Sequence, residues 1–381
     1  MDLDLRYPAL SDLRARARRR LPHFVWEYLQ SGTGSETVPA LNRAALDALR
    51  LTPRVLLGPL KPDLSTRFLG QDFTAPFGIA PVGMSGLFWP GAEAALARHA
   101  ARSGIPYCLS TVATRMPEEI GPLAGDRGWF QLYTPGDPEI RADILRRARG
   151  AGFSVLVVTV DLPGPSRRER QLRADLSIPP KKTPRMLLQA ALRPRWALET
   201  LRHGLPRLRL MEDYLKLDGN APSTAHAGYQ LRTNPDWDYV RAARDLWGGP
   251  VVLKGILHAQ DAARAQTEGF DAVWVSNHGG RQFDGCPASI DVLPAVRAAA
   301  PDLPLIADGG VEGGLDILRM IARGADFVML GRGWHYALAA LGPPGAAHLD
   351  HILRADLVAN MLQLGVNRPQ DLQSRAVEGQ L

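Results

Sequence analysis

Eight short apolar runs, at residues 77–81, 106–110, 129–133, 155–160, 251–254, 272–276, 305–308 and 327–330, constrain this chain more than any other feature. Each has the length of a strand, is bounded by glycine, proline or polar residues, and in several cases is apolar without alternation. A strand that is apolar on both faces belongs to a parallel sheet covered by helices. Segments with helical periodicity fill the intervals, among them 92–103, 138–149, 235–247, 259–268 and 315–323. Such alternation builds βαβ units, and eight of them close into a (β/α)8 TIM barrel of about 250 residues. The competing architecture, an open doubly wound sheet, would carry a strand followed by GxGxxG and an acid about 20 residues on, and the sequence has none. The expected fold is α/β, a single domain over 1–381 with its barrel at about 76–340. An N-terminal helical extension precedes the barrel, with candidate helices at 10–29 and 40–49, and a basic insertion at about 170–234 follows the fourth strand.

Composition narrows the class. The chain is 45% hydrophobic and 22% charged, values of an ordinary globular protein, and no apolar run approaches the roughly 18 residues of a membrane span. The opening MDLDLRYPALSDLRARARRRL lacks the apolar core and cleavage site of a secretory signal, so a cytoplasmic location is expected. Cys108 and Cys286 stand in no CxxC or CxxH spacing, which predicts two reduced bystanders and no metal site. The net charge of +6 is concentrated. Residues 181–209 hold Lys181, Lys182, Arg185, Arg193, Arg195, Arg202, Arg207 and Arg209 against the single acid Glu199. One local basic, apolar segment argues for a lipid surface rather than nucleic acid.

In a closed parallel barrel the catalytic groups come from the C-terminal ends of the strands. Read there, the sequence gives Pro81-Val82-Gly83, Ser110-Thr111, Gln131 with Tyr133, Thr159 with Asp161, Lys254, Ser276-Asn277-His278, Asp308-Gly309-Gly310 and Gly331-Arg332. A polar residue at one strand end is ordinarily a cap or a turn. Eight together point to an active site. The glycine-rich ends of the seventh and eighth runs, with Arg332, match where barrels bind phosphate. Lys254 could form a Schiff base, pair with a structural acid, or hold developing negative charge on a cofactor. His278 reads as a general base with Asp161 orienting it, and Arg168 and Arg281 as carboxylate clamps.

These stretches resemble a family, the FMN-dependent 2-hydroxy acid oxidising flavoproteins. The matching elements are VWEYLQSGTG, APVGMSG, LSTVAT, WFQLY, TVDLP, VVLKGI, VSNHGGRQFDG, ADGGV and MLGRG, in order over nearly the whole chain. The resemblance implies FMN as cofactor and oxidation of an (S)-2-hydroxy acid, of L-lactate or mandelate type, to the 2-keto acid. It implies His278 as catalytic base and Asp161 as its charge partner, with Tyr28, Tyr133, Arg168 and Arg281 binding substrate. Lys254 is similar to the lysine beside the flavin, where a cation stabilises the reduced anion. Pro81, Val82, Gly83, Ser110, Gln131, Thr159 and Ser276 match flavin contacts, and Asp308, Gly309, Gly310, Gly331 and Arg332 the ribityl and phosphate site. Electrons would pass to quinone or another acceptor, and a homo-oligomer, a tetramer, is expected.

The sequence also departs from that pattern. Glu312 stands where the family usually has arginine after the glycine pair, and a carboxylate beside a phosphate is unfavourable unless it turns away or pairs with a cation. Ser166 and Arg167 differ from the commoner small residues before Arg168. Val112 replaces a bulky aromatic and implies more room. Gly83 replaces the alanine typical of oxidases, as in the dehydrogenase branch. The insertion's LRPRWALETLRHGLPRL resembles the membrane-attachment loop of mandelate dehydrogenase, with Trp196, Leu187, Leu188, Leu198 and Leu201 among its cations. Peripheral docking on the inner face of the cell membrane follows as an expectation, against a solvated loop or an oligomer contact. The rival activities are an oxidase that uses O2 and releases peroxide, and a non-redox FMN-barrel isomerase.

Overall fold

Apolar runs rich in β-branched and aromatic residues, each followed by an amphipathic segment, leave the backbone one economical arrangement, and the chain adopts it. The computed structural model describes residues 2–176, 183–214 and 232–373. Strands β1 (Phe77–Ile79), β2 (Tyr107–Ser110), β3 (Gly128–Leu132), β4 (Val155–Thr159), β5 (Val251–Ile256), β6 (Ala272–Val275), β7 (Leu305–Ala307) and β8 (Phe327–Leu330) pair in parallel in sequence order. β8 pairs back onto β1 and closes the barrel. The helices Ala92–Ser103, Pro138–Gly150, Trp237–Trp247, Ala259–Thr267 and Gly314–Ala322 fall within a few residues of the segments read from periodicity.

Side chains alternate between two cores, as a period of two requires. Leu109, Phe130, Leu156, Val158, Leu253, Val273 and Leu305 face the helical shell. Cys108, Trp129, Val157, Val252, Trp274 and Ile306 fill the barrel interior. The next inward position on each of those strands is therefore Ser110, Gln131, Thr159, Lys254, Ser276 and Asp308, one layer nearer the C-terminal mouth. The register supports this layer, since Ser110 pairs with Gln131 and Thr159 with Lys254. On these six strands, β2 to β7, the apolar fill stops at one level and the polar ring begins at the next.

The N-terminal segment differs from the expectation. The candidate helix at 10–29 is two helices, Leu10–Arg20 and His23–Gln30. Pro22 forces the preceding Leu21 into an extended conformation with ψ 142 and ends the first helix there. The candidate at 40–49 begins earlier, as Thr37–Ala48. A two-stranded hairpin, Thr66–Phe68 with Gln71–Phe73, was not apparent in the sequence. Each of its strands holds a single apolar residue and forms no apolar run. Phe68 lies 5.1 Å from Phe327, and Phe73 6.3 Å from Trp129, ring centre to ring centre, so the hairpin plugs the bottom of the barrel.

The insertion after β4 is partly helical, with helices Pro184–Ala191 and Pro194–His203, while Lys181 and Lys182 lie outside the described residues. Trp196 was expected among the exposed docking residues and is instead buried. Its indole donates to the Leu87 carbonyl at 2.9 Å and packs edge-on against Phe24. Among the described residues no helix is long and apolar enough to cross a membrane. Replacing Phe68 with alanine should open a cavity in the barrel floor and lower the unfolding free energy by about 3 kcal/mol, read from the urea midpoint. A loss well under about 1 kcal/mol would show that the hairpin does not pack as described.

Candidate active site

Gln131, Thr159, Lys254 and Asp308 of the polar ring form the floor of a cavity of about 450 Å³ at the C-terminal mouth. At its centre the Lys254 ammonium donates to Ser276 Oγ at 3.0 Å and lies 3.6 Å from Asp308 Oδ2. Burial disfavours the charged lysine, but Asp308 and then Asp161 outweigh it and hold the pKa above the ordinary lysine value. Asp308 in turn accepts from the Trp274 indole at 2.9 Å. Gly255, at φ +106, follows the lysine, and a Cβ there would lie 2.5 Å from the Asp161 side chain. Only glycine lets that carboxylate approach the strand so closely.

His278 sits where the backbone after β6 turns through three left-handed residues, His278, Gly279 and Gly280. A non-glycine residue at φ +56 costs energy and persists only where its surroundings fix it. Here the His278 N–H donates to Ser276 Oγ at 3.0 Å, and Nδ1 faces both Asp161 oxygens at 3.1 and 3.2 Å. A buried amide pair between Asn42 and Asn277, at 3.0 and 2.7 Å, ties the same loop to helix Thr37–Ala48. Burial lowers the imidazole pKa. Asp161 restores part of it, while Lys254 and Arg168 push it down further, leaving the ring neutral at neutral pH. Burial acts to raise the Asp161 carboxyl, but His278 and then Lys254 hold it below the usual carboxylate value. A neutral imidazole braced by an ionised carboxylate is equipped to accept a proton on its other nitrogen.

Two guanidinium groups share the rim. Arg281 donates to the carbonyls of Tyr28 and Ser31, both at 2.9 Å, and burial followed by the neighbouring Arg168 brings its pKa down to about 9. Arg168, itself left-handed at φ +46, donates from Nε to Ser166 Oγ at 3.0 Å. The unusual Ser166 thus orients the arginine that follows it. Two like charges held together in this way favour an anion between them. Tyr28, stacked on Phe88, and Tyr133, beneath the Arg232 guanidinium, complete this side.

Several buried polar atoms point to a group that a flat heteroaromatic would satisfy. Among the described residues, Gln131 Nε2, Thr159 Oγ1 and Asp308 Oδ1 are buried without a hydrogen-bond partner, and all three residues line the cavity. A donor amide, a hydroxyl and an acceptor carboxylate beside an ammonium suit a ring edge with alternating acceptors and N–H, as the flavin pyrimidine has. At the other end Gly309, Gly310, Gly331 and Arg332 line the wall where helix Arg332–Leu341 begins, a setting suited to phosphate.

Most residues expected from the sequence meet in this cavity. Tyr28, Pro81, Val82, Gly83, Gln131, Tyr133, Thr159, Arg168, Lys254, His278, Arg281, Asp308, Gly309, Gly310, Gly331 and Arg332 line it. Ser110, Ser276 and Asp161 stand behind the wall. Ser110 donates to Gln131 Oε1 at 2.8 Å, Ser276 braces Lys254, and Asp161 braces His278. Gly83 and Val112 prove to be coupled, because a Cβ at Gly83 would lie 2.6 Å from Val112 Cγ2. Arg14, Arg43, Arg232 and Tyr336 also line the cavity without having been foreseen. Arg14 and Arg43 come from the N-terminal helices, whose sequence signals a helix and nothing of what it covers.

The sequence profile of the family described as FMN-dependent dehydrogenase matches residues 17–379. The chain is similar to the L-lactate dehydrogenase of Caulobacter vibrioides (strain NA1000 / CB15N), 40% identical over 367 residues that cover 93% of this chain and 94% of that protein. It is 38% identical to the L-lactate dehydrogenase of Ectopseudomonas mendocina (strain ymp), covering 96% and 97%. Among solved structures, the monotopic membrane protein (S)-mandelate dehydrogenase superposes with a TM-score of 0.90 at 33% identity, covering 98% and 99%. Mandelate oxidase with benzoyl-formic acid superposes with a TM-score of 0.80 at 32% identity, covering 96% and 97%.

Since Asp161 raises the His278 pKa through both its charge and its hydrogen bond, Asp161→Asn should move the imidazole titration to lower pH. Histidine NMR across a pH series would show it, and an unchanged or higher midpoint would contradict the assigned geometry.

Proposed function

The chain belongs to the FMN-dependent dehydrogenase family, and from that premise we propose that it oxidises an (S)-2-hydroxy acid of the lactate or mandelate type to the 2-keto acid. The observation that carries this reading is one cavity holding a neutral imidazole on an ionised carboxylate, two guanidinium groups and a buried ammonium. Bound FMN would take up the two electrons released at the substrate α-carbon. Gln131, Thr159 and Lys254 are the residues to hold its ring, and Gly309, Gly310, Gly331 and Arg332 its phosphate.

The protein's own part is positioning and proton transfer. Arg281 and Arg168 clamp the substrate carboxylate, with Tyr28 and Tyr133 alongside. His278 takes the proton through the nitrogen not held by Asp161, and Asp161 stabilises the imidazolium that results. Lys254 keeps a fixed positive charge on the cavity floor, where it would stabilise the negative charge of a reduced flavin. Electron transfer to quinone or another organic acceptor, rather than to O2, is the reading that the Gly83–Val112 contact favours, since it leaves no room for the alanine typical of oxidases.

The insertion suits a membrane surface. Leu187, Leu188, Leu192, Leu198, Leu201 and Leu205 are all exposed, while Met186 and Trp196 point inward from the same helices. An exposed apolar patch with Arg195 and Arg202 nearby fits the headgroup region of anionic lipid. Similarity to a monotopic membrane protein supports the same reading.

Two experiments test these proposals. In an anaerobic screen of lactate, mandelate, glycolate and longer 2-hydroxy acids, at least one should bleach the flavin absorbance. His278→Ala should slow that bleaching by a hundredfold or more with flavin content retained. Absence of bleaching by every acid would overturn the redox reading, and fast reoxidation by air with peroxide release would identify an oxidase. For the surface, the protein should co-sediment with phosphatidylglycerol vesicles and be released by salt. Leu188→Asp with Leu201→Asp should abolish binding without changing activity on soluble acceptors; binding that survives both changes would remove the insertion from that role.

A further inference from the structure

We infer that Arg14, held in place by Glu312, supplies a cation to the phosphate of the bound cofactor from the N-terminal helix rather than from the barrel. This rests on the cofactor reading above and concerns residues that it leaves unassigned. The starting point is Glu312, a carboxylate that follows the glycine pair Gly309-Gly310 and lines the cavity at its phosphate end. Alone, it would repel a phosphate. It is not alone, because Arg14 Nη1 donates to Oε1 at 2.7 Å and Nη2 to Oε2 at 3.2 Å, fork against fork.

The packing explains how a residue so distant in sequence arrives there. Gly333 opens helix Arg332–Leu341, and a Cβ on it would lie 3.3 Å from Leu10 Cδ2, so Leu10 rests on the start of that helix. Arg14 is one turn further along on the same face of helix Leu10–Arg20, which directs it to the cavity wall beside Arg332. Tyr336, one turn beyond Arg332, has Arg332, Arg14 and Glu312 all among its charged neighbours. Arg14 and Glu312 are each about one-third exposed, 34% and 34%, where they line the cavity.

Charge and geometry assign the task to Arg14 among the nearby arginines. Arg43 spends all five of its N–H groups on Asp47, Asp316 and the Gly310 carbonyl, so it has no donor left for a phosphate and stiffens the loop. Arg332 gives one N–H to the Gly279 carbonyl at 2.8 Å. Arg14 spends two of its five N–H groups on Glu312, and among the described residues the others have no hydrogen-bond partner, which leaves them to phosphate oxygens. Glu312 thereby fixes the direction of the fork, and the cation beside it offsets its repulsion.

The test compares FMN with riboflavin, which lacks the phosphate. Full-length protein stripped of flavin is titrated with each, and dissociation constants are read from quenching of flavin fluorescence. Arg14→Gln should weaken FMN binding at least tenfold and leave riboflavin within about twofold, while Glu312→Gln should keep or increase the preference for FMN. Arg14→Lys, which keeps the charge and loses the fork, should fall between wild type and Arg14→Gln, and it serves as the test if Arg14→Gln does not fold. An unchanged FMN-to-riboflavin ratio in the Arg14 variants, or an equal loss in Glu312→Gln, makes the pair a structural clamp and overturns the inference alone. Wild-type protein that binds neither flavin overturns the inference together with the cofactor reading.

Discussion

A charged amine inside a barrel of apolar side chains is the constraint on which the site depends. Burying an ammonium costs several kcal/mol unless carboxylates and hydroxyls compensate it. Lys254 lies one layer above Val252 and beside Trp274, and the compensation comes from Asp308, Ser276 and Asp161 on other strands or the loops after them. Asp161 serves two partners, facing Lys254 through space and His278 through direct contact at 3.1 Å. The state of the histidine is therefore tied to that of the lysine: the ammonium depresses the imidazole pKa, and the shared carboxylate raises it.

Elements outside the barrel hold the parts that barrel strands cannot. The carbonyls at the end of helix His23–Gln30 and just beyond it fix Arg281, and the Asn42–Asn277 amide pair fixes the loop that carries His278. Arg170 links the segment after β4 to the same region through Glu27 at 2.5 Å and Glu36 at 2.8 Å. The N-terminal helices thus form the rim of the site. Their contacts to it are polar and directional, which suits groups that must be placed within a few tenths of an ångström.

How much of this could be read from the sequence follows from the range over which each feature is encoded. The barrel was legible because each strand announces itself within five or six residues. The polar ring was legible because it begins where each apolar run stops. Lys254 at the end of a run of apolar residues, and His278 after Trp274-Val275, needed no partner to be noticed. What escaped depends on contacts between distant segments. Nothing near Glu312 shows that Arg14 answers its charge, and nothing in the segment around Trp196 shows that Phe24 and Leu87 receive the indole while the neighbouring leucines stay outside. The hairpin that plugs the barrel escaped for a different reason, since each of its strands holds a single apolar residue, Phe68 or Phe73, and forms no apolar run.

The central claim is that Lys254 keeps a fixed charge at the floor of the cavity to stabilise a cofactor as it becomes negative. The midpoint potential of the bound flavin in Lys254→Met reports on this directly. The account predicts a fall of about 30 mV or more, the shift that about 1.4 kcal/mol produces in a two-electron couple. A potential equal to or above that of the unaltered protein would contradict it.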